Sequence, residues 1–333
     1  MYSGWKVSAV IPCYKVERHI RNVIASMPEY VDQIIAVNDG SPDSTEEILK
    51  SISDPRLVVI SHKKNQGLGA AMLSGFKEAL RQGADVVVKV DGDGQMDPTQ
   101  IIALIHPIVL GKCDYSKGNR LSSGKNMKGM PNLRLFGNLV LSFLTKAATG
   151  YWKMMDPQNG FIAISGKLLA KIELNKIARN FFFENSMLIE ISLQNTKVAD
   201  VVMSSRYGEE ISTLSIKKVI LQFPWQLAKG FLRRIFVRNL LLDLSPFVIF
   251  LFLGLLLIIP GGFLGLWLWI KALVTHSTIP TPTGTIMLSL VPLICGYILI
   301  VQAIVIDIIF SPEILLLEYD EEMISQLLKQ NQK

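Results

Sequence analysis

The chain has 333 residues, half of them hydrophobic, and a formal net charge of +6. This length allows one or two sizeable domains. The three cysteines show neither paired nor metal-type spacing, which argues against a disulfide framework. The N-terminal residues lack the apolar core and cleavage site of a signal peptide. We therefore expect the leading part of the chain to fold in a reducing cytoplasm.

The first hundred residues alternate between short apolar runs and helical patterns. Runs rich in β-branched residues predict buried strands at 6–11, 33–37, 57–60 and 85–90. Helical periodicity covers the segments between them, at 16–27, 45–52 and 68–80. Strands that alternate with helices of this length indicate βαβ units. The predicted fold class is α/β, with a mostly parallel central sheet.

Polar or aromatic residues follow three of the predicted strands, at Pro12–Tyr14, Asn38–Ser41 and Asp91–Asp93. Ligands of such sheets bind beyond the carboxyl ends of the strands. Asp91 and Asp93 are one glycine apart, and two carboxylates so close raise the cost of ionising each other. A divalent cation would remove that cost, and Mg²⁺ usually shares its ligands with substrate phosphates. The pair indicates a nucleotide diphosphate bridged by Mg²⁺ or Mn²⁺.

Other kinds of site fit the sequence less well. An EF-hand that starts at Asp91 would need glycine at Met96 and glutamate at Ile102. The run GLGAAM begins like a dinucleotide fingerprint but has Met72 in place of the third glycine. The sequence contains no Walker A motif and no serine or cysteine nucleophile motif. The four histidines are scattered, and His62 and His106 are interpreted as surface or packing residues.

Beyond residue 110 the pattern loosens. Helices are predicted at 131–149, which includes Arg134, and at 181–195, and strands at 159–164 and 198–203. Residues 214–242 then contain no acid, several aromatic residues and six cations, namely Lys217, Lys218, Lys229, Arg233, Arg234 and Arg238. Such a segment suits a membrane surface. Nucleic acid would also attract it, but the apolar block that follows favours the membrane, and we expect no nucleic-acid partner.

Two apolar spans, at 246–270 and 285–310, are each long enough to cross a bilayer. The cations before the first span place the leading domain in the cytoplasm, and two crossings return the tail to the same side. Pro260–Gly262 interrupts the first span and leaves a kink and a re-entrant hairpin both open. The pattern of the tail predicts an amphipathic helix. Its apolar face could pack against the leading domain or against a neighbouring copy of the chain, and the sequence leaves both alternatives open. The sequence thus predicts four regions. They are the leading α/β domain at 1–212, a basic amphipathic segment next to the membrane at 213–243, the two membrane-spanning helices at 244–311 and the cytoplasmic amphipathic tail at 312–333.

Several motifs carry a resemblance to a known family. VIPCY, VNDGSPDST, NQGLGAAMLSGF and VDGDGQMDP, in this order and spacing, resemble family 2 glycosyltransferases, which have the GT-A fold. KGNR, DPQNGF and RYGEEIS extend the similarity to about residue 215. With two C-terminal spans, the chain most resembles polyprenyl-phosphate glycosyltransferases of the dolichol-phosphate mannose synthase type.

The resemblance implies roles for particular residues. The positions that hold the base and ribose of a nucleotide sugar are matched by Pro12, Tyr14 and Asp39. The positions that hold the metal and the diphosphate are matched by Asp91, Asp93 and Gln95. A set of cations around the donor and acceptor phosphates is matched by Arg120, Arg134 and Arg206.

The chain also departs from the family pattern. Relatives often have a glutamate two residues after the tyrosine, where this chain has Val16, and Glu17 is displaced by one. Ser186 stands where members that glycosylate hydroxyls tend to have an aspartate base, which leaves Glu184 as the catalytic carboxylate. A hydroxyl must lose a proton as it attacks, whereas a lipid phosphate is already largely ionised. The departure therefore favours a phosphate acceptor.

We accordingly expect a metal-dependent, inverting, membrane-bound transferase that moves one sugar from a GDP- or UDP-linked donor to a polyprenyl phosphate at the cytoplasmic face. Transfer to a hydroxyl of a membrane glycolipid or glycan, with Glu184 assisting, is the alternative enzyme. A catalytically silent scaffold that binds nucleotide sugars is the alternative outside enzymes. The sequence leaves open a homo-oligomer formed through the membrane helices or the tail.

Overall fold

The computed structural model describes residues 1–120, 132–203, 216–242, 244–275 and 281–331. The chain divides into two compact units. One consists of Met1–Phe231 together with Pro312–Lys333, and the other of Leu232–Ser311.

Within the described ranges, eight strands of the first unit form one sheet in the order β3-β2-β1-β4-β6-β5-β7-β8. The strands are β1 (Val7–Cys13), β2 (Gln33–Asn38), β3 (Leu57–Ser61), β4 (Val86–Lys89), β5 (Tyr115–Asn119), β6 (Ile162–Ser165), β7 (Val198–Val202) and β8 (Ile314–Glu318). Only β6 runs antiparallel to its neighbours, β4 and β5. The mostly parallel α/β sheet predicted from the sequence is confirmed.

Helices cover both faces of this sheet. The helices of the first unit are α1 (Ile20–Ala25), α2 (Thr45–Ser51), α3 (Leu68–Arg81), α4 (Ile101–Val109), α5 (Asn132–Thr149), α6 (Gly166–Lys171), α7 (Phe183–Leu193) and α11 (Glu321–Asn331), with α8 (Ile216–Arg234) at its end. Buried residues of α1 and α4 form one core against the sheet. Those of α3, α6 and α7 form a second core on the opposite face. Two cores separated by a sheet explain why the strand residues are apolar on both sides.

Several predicted elements differ from the structure. The first predicted helix begins late, at Ile20, because residues 14–19 form a loop that includes Lys15 at a φ of 57°. The elements α4 and β5 were not predicted. The tail is not one amphipathic helix, since Ile314–Glu318 pairs in parallel with β7 before α11 begins at Glu321. Among the described strands, β8 covers the edge of β7 that faces away from β5. An edge strand offers unpaired backbone groups to such a partner, and the sequence pattern alone does not reveal the pairing.

The second unit is dominated by α9 (Pro246–Val274) and α10 (Thr283–Ile309), which pack on each other. Both helices are long and apolar enough to cross a membrane. A methyl group placed on Gly254 would lie 3.0 Å from the carbonyl oxygen of Gly296, so these glycines allow close backbone contact. The helix α9 continues through Pro260, and Ser289 Oγ donates to the carbonyl oxygen of Gly261 at 2.8 Å. The re-entrant hairpin left open by the sequence is therefore not formed.

Among the predicted surface cations whose side chains the structure describes, Arg234 is buried. Both terminal nitrogens of Arg234 donate to the carboxylate of Asp307, at 2.8 and 2.9 Å, and the Arg234 side chain is 1% exposed. The expectation that Arg234 lies at the headgroups is wrong. Its partner is 73 residues away in the sequence, near the end of α10, and no local pattern predicts such a pair.

Candidate active site

The strands β1, β2 and β4 place the predicted donor residues at one edge of the sheet. These three neighbours are parallel, so their carboxyl ends lie together. Pro12 lies near the end of β1, Asp39 directly follows β2, and Asp91 follows β4 by two residues. The structure thus brings together the three polar turns that the sequence singled out.

The acidic turn after β4 is tight and partly exposed. Gly94 has a φ of 78°, which permits the reversal after Asp93. Asp93 accepts a hydrogen bond from the backbone N–H of Gln95 at 3.0 Å, and the side chain of Gln95 is exposed. The Asp91 carboxylate is 30% exposed. Both aspartates therefore remain accessible from the edge of the sheet.

Lys89, the last residue of β4, lies beneath this turn. Its Nζ is 2.6 Å from Asp91 Oδ1, 3.5 Å from Glu184 Oε1 and 3.2 Å from the carbonyl oxygen of Gly160. Burial disfavours the charged amine, but the carboxylates of Asp91 and Glu184 outweigh that effect and raise the pKa of Lys89. A buried ammonium thus joins one predicted metal ligand to the predicted catalytic glutamate.

Glu184 lies in the first turn of α7, and its side chain is 13% exposed. Ser186, where the family resemblance predicts an aspartate in members that glycosylate hydroxyls, makes hydrogen bonds within the fold. Its hydroxyl donates to the carbonyl oxygen of Phe183 at 2.8 Å and accepts from the N–H of Ala178 at 2.9 Å. Glu184 is therefore the carboxylate that this helix contributes beside Lys89.

Asp39 is 2% exposed and holds a loop together. Its Oδ1 is 2.7 Å from His62 Nδ1 and accepts from the N–H of Gln66 at 2.9 Å, and its Oδ2 accepts from the N–H of Gly67 at 2.8 Å. Gly67 has a φ of 99° at the start of α3. These bonds connect the end of β2 to the turn before α3. A role of Asp39 toward a nucleotide is compatible with this position but stays a prediction.

The loop after β1 lines a cleft of about 360 Å³, whose walls are Lys15, Glu17, Arg18, His19, Pro42 and Asp43. Tyr14, next to this cleft in the sequence, is 42% exposed. Glu17 Oε2 accepts from the N–H of Ser44 at 3.0 Å, where α2 begins. A methyl group on Gly94 would lie 3.8 Å from His19 Cβ, so the cleft adjoins the acidic turn.

The structure describes the three predicted phosphate-binding arginines to different extents. Arg120 directly follows β5, and its Nε donates to Asp156 Oδ2 at 2.9 Å. Arg134 lies in the first turn of α5, and its side chain is outside the described part of the structure. Arg206 lies outside the described residues altogether.

Four charged residues near this edge were not singled out as site residues. They are Lys89, Lys117, Asp156 and Asp200, all on or beside strands and at most 3% exposed. Lys117 Nζ donates to the carbonyl oxygen of Asn159, and burial lowers the pKa of Lys117 to about 8. The signal that could have found the two lysines is a lysine inside an otherwise apolar strand, since an unpaired buried charge is costly.

Comparison with known proteins identifies the family. The model of glycosyl transferase family 2 matches residues 8–173. The UDP-N-acetylglucosamine–dolichyl-phosphate N-acetylglucosaminyltransferase of Methanococcus voltae is 32% identical over 60% of this chain and 85% of its own length. The chain belongs to glycosyl transferase family 2.

Two further proteins are similar to this chain. The dolichol-phosphate mannosyltransferase of Pyrococcus furiosus is 31% identical over 59% of this chain and 55% of its own length. Among solved structures, glucosyl-3-phosphoglycerate synthase from Mycobacterium tuberculosis, in complex with Mn²⁺, UDP-glucose and phosphoglyceric acid, matches with a TM-score of 0.53. That match has 21% identity and covers 70% of this chain and 81% of the other, and it supports the GT-A fold. The protein is a glycosyltransferase by family, as its motifs predicted.

Proposed function

We propose that the protein transfers one sugar from a nucleotide-diphosphate donor to a polyprenyl phosphate at the cytoplasmic face of a membrane, with inversion at the anomeric carbon. The observation that carries this proposal lies at the carboxyl edge of the sheet, where Lys89 contacts the carboxylates of Asp91 and Glu184. Asp93 lies on the same turn as Asp91. Relatives named for transfer to dolichyl phosphate support the acceptor class.

A divalent cation, Mg²⁺ or Mn²⁺, fits the acidic turn as a partner shared with the donor. Among the described residues, no group of three or more histidine, cysteine or acidic side chains forms a complete metal cage. Two accessible carboxylates suit an ion that takes its remaining ligands from substrate phosphates. Asp91 and Asp93 would hold the ion, with Gln95 beside them, and the ion would stabilise negative charge on the departing diphosphate.

The donor would lie along the carboxyl edge. Tyr14 and the cleft beside Glu17 would take the base and ribose, with Pro12 and Asp39 shaping the two loops that flank them. We assign the diphosphate to the acidic turn and to Arg120.

The acceptor site needs no strong base if the nucleophile is a lipid phosphate. Such an oxygen is already largely ionised near neutral pH, so alignment and charge stabilisation carry the reaction. Ser186 is bonded within its own helix and cannot replace the missing aspartate. We assign Arg134 and Arg206 to the acceptor phosphate, where a guanidinium can make a forked contact.

The membrane location is supported by α9 and α10. Because β8 follows α10 in the chain and pairs with β7 of the catalytic sheet, both ends of the helical pair lead to the same folded unit. This supports two crossings with the catalytic unit and the tail both in the cytoplasm. Trp225 on α8 is 65% exposed, and Lys229 Nζ lies 5.2 Å from the centre of its ring. An exposed aromatic residue next to a cation suits the headgroup layer of a membrane.

The test is a transfer assay with purified full-length protein. The protein would be incubated with labelled UDP- and GDP-sugars and a polyprenyl phosphate, and the lipid fraction would be examined for label. Label in a mild-acid-labile lipid supports the proposal. An acid-stable glycoside supports the hydroxyl acceptor, and binding of nucleotide sugar without turnover supports the silent scaffold.

A further inference from the structure

Lys89 occupies a position where the sheet otherwise excludes charge. It pairs with Ile162 of β6, is 1% exposed and ends a strand that is otherwise valine. A methyl group on Gly160 would lie 2.6 Å from its Nζ, so the glycine at that position leaves room for the ammonium. Its partners are the carboxylates of Asp91 and Glu184. Such a buried cation is tolerated because those carboxylates face it.

This arrangement puts a fixed positive charge 2.6 Å from Asp91 Oδ1. A divalent cation that approaches Asp91 alone is repelled by that ammonium, and the repulsion is strong where water is excluded. A cation that arrives with a nucleotide diphosphate brings compensating negative charge. Lys89 does not repel a complex in which the diphosphate offsets the charge of the metal. The ammonium therefore weakens the binding of a divalent cation alone but not the binding of a cation that is already bound to a nucleotide diphosphate.

We propose that Lys89 is a positioning residue that keeps Asp91 paired until a nucleotide diphosphate arrives, so that metal and donor bind together. This inference rests on the proposed function in one respect, namely that Asp91 and Asp93 hold a divalent cation. Glu184 shares the same ammonium, so its charge offsets part of the repulsion. The charge on Glu184 thereby contributes to metal affinity from a position in α7.

The test measures Mn²⁺ binding rather than turnover. Free Mn²⁺ would be followed by electron paramagnetic resonance with full-length protein in detergent, without nucleotide and with UDP or GDP. Wild type should bind Mn²⁺ weakly alone and much more tightly with one of the nucleotides. Lys89→Met should bind Mn²⁺ alone about tenfold more tightly or better, and the tightening by nucleotide should shrink by the same factor.

Lys117→Met is the matched control. Lys117 is also a buried lysine, but it lies on β5 and its Nζ donates to the carbonyl oxygen of Asn159. Its loss should change Mn²⁺ affinity by less than the loss of Lys89. Glu184→Gln removes the second carboxylate at Lys89 and should weaken Mn²⁺ binding in the absence of nucleotide.

The outcomes separate the inference from the proposed function. An unchanged or lower Mn²⁺ affinity in a folded Lys89→Met variant, with wild-type binding intact, overturns the inference alone. Wild type that binds no Mn²⁺ with either nucleotide overturns the metal assignment and the inference together. Should Lys89→Met not fold, Glu184→Gln decides, since weaker Mn²⁺ binding supports the inference and unchanged binding overturns it.

Discussion

Arg120 and Asp156 form a forked pair across 36 residues of chain. The Nε and Nη2 of Arg120 donate to the two carboxylate oxygens, at 2.9 and 3.3 Å. Asp156 is buried, whereas the Arg120 side chain is 38% exposed. The carboxylate thus fixes the direction of a guanidinium that still reaches the surface at the end of β5. This places Asp156, from the DPQNGF motif, in support of the arginine from KGNR.

Asp156→Asn should therefore weaken donor binding without removing chemistry. An amide cannot accept the forked, charge-assisted pair, so Arg120 loses its fixed direction. We expect KM for the nucleotide sugar to rise about tenfold with kcat nearly unchanged, as measured by steady-state kinetics. Glu78→Gln breaks the exposed pair with Arg81 and serves as the control, with no change in KM. A fall in kcat alone would contradict the assignment of Arg120 to the donor.

Asp93→Asn should abolish Mn²⁺-dependent donor binding and lower transfer by about a hundredfold or more, since a metal ion stabilises charge by several kcal/mol. The residue lies on a partly exposed turn, so thermal unfolding should be nearly unchanged. Asp97→Asn is the control in the same loop. Asp97 accepts from the N–H of Thr99 at 3.1 Å, and an asparagine oxygen can accept the same bond, so this variant should leave stability and donor binding nearly unchanged. Full activity in Asp93→Asn would remove the metal site from the proposal.

Glu184→Gln distinguishes the two acceptor classes. With a lipid phosphate as nucleophile, the variant should lower the rate only severalfold, through the lost pairing with Lys89. Loss of about 10²–10⁴-fold, the usual contribution of a general base or acid, would indicate a hydroxyl acceptor. Single-turnover rates with saturating donor and lipid would measure the difference.

Arg134→Lys should raise the concentration of lipid phosphate needed for half-maximal rate and leave nucleotide-sugar binding nearly unchanged. Lysine keeps the charge but cannot make the forked contact that a guanidinium makes with phosphate. Kinetics with varied lipid, together with calorimetric binding of the nucleotide, would show both effects. If only donor binding weakened, Arg134 would belong with the diphosphate.

Asp200 makes stability depend on pH. Burial raises the pKa of this carboxyl from 3.8 to about 6. The hydrogen bond that the N–H of Met155 donates at 2.8 Å lowers the pKa, but burial has the larger effect. Between these two values the folded state holds a proton that the unfolded chain has lost, so stability falls as pH rises. Relative to wild type, Asp200→Asn should gain about 1–3 kcal/mol of unfolding free energy between pH 4 and pH 7.

Denaturant titrations at several pH values would measure this gain. Asp54→Asn is the comparison, because hydrogen bonds from Arg56 lower the pKa of Asp54 and that carboxyl is ionised in both the folded and the unfolded state above about pH 5. Its difference from wild type should be flat between about pH 5 and pH 7. If the difference in unfolding free energy between Asp200→Asn and wild type were also independent of pH, burial would not disfavour the charged form of Asp200.

Residues with local signatures were predictable from the sequence. The runs that became β1, β2 and β4 are apolar on both faces, and Asp91 and Asp93 follow such a run directly. Lys89 was visible in the sequence, but its role was not, because Glu184 comes from a helix 95 residues later in the chain. The pairing of β8 with β7 was hidden for the same reason. Contacts between distant segments depend on packing that periodicity does not encode.

The position of β8 has a consequence for biosynthesis. A ribosome makes β7 before α9 and α10, and makes β8 after both. The edge of β7 therefore stays open while the two apolar helices are being synthesised, and β7 gains its partner only when Ile314–Glu318 emerges. An exposed strand edge pairs readily with other chains. Truncation before Ile314 would leave every predicted catalytic residue in place and yet yield a protein prone to aggregate.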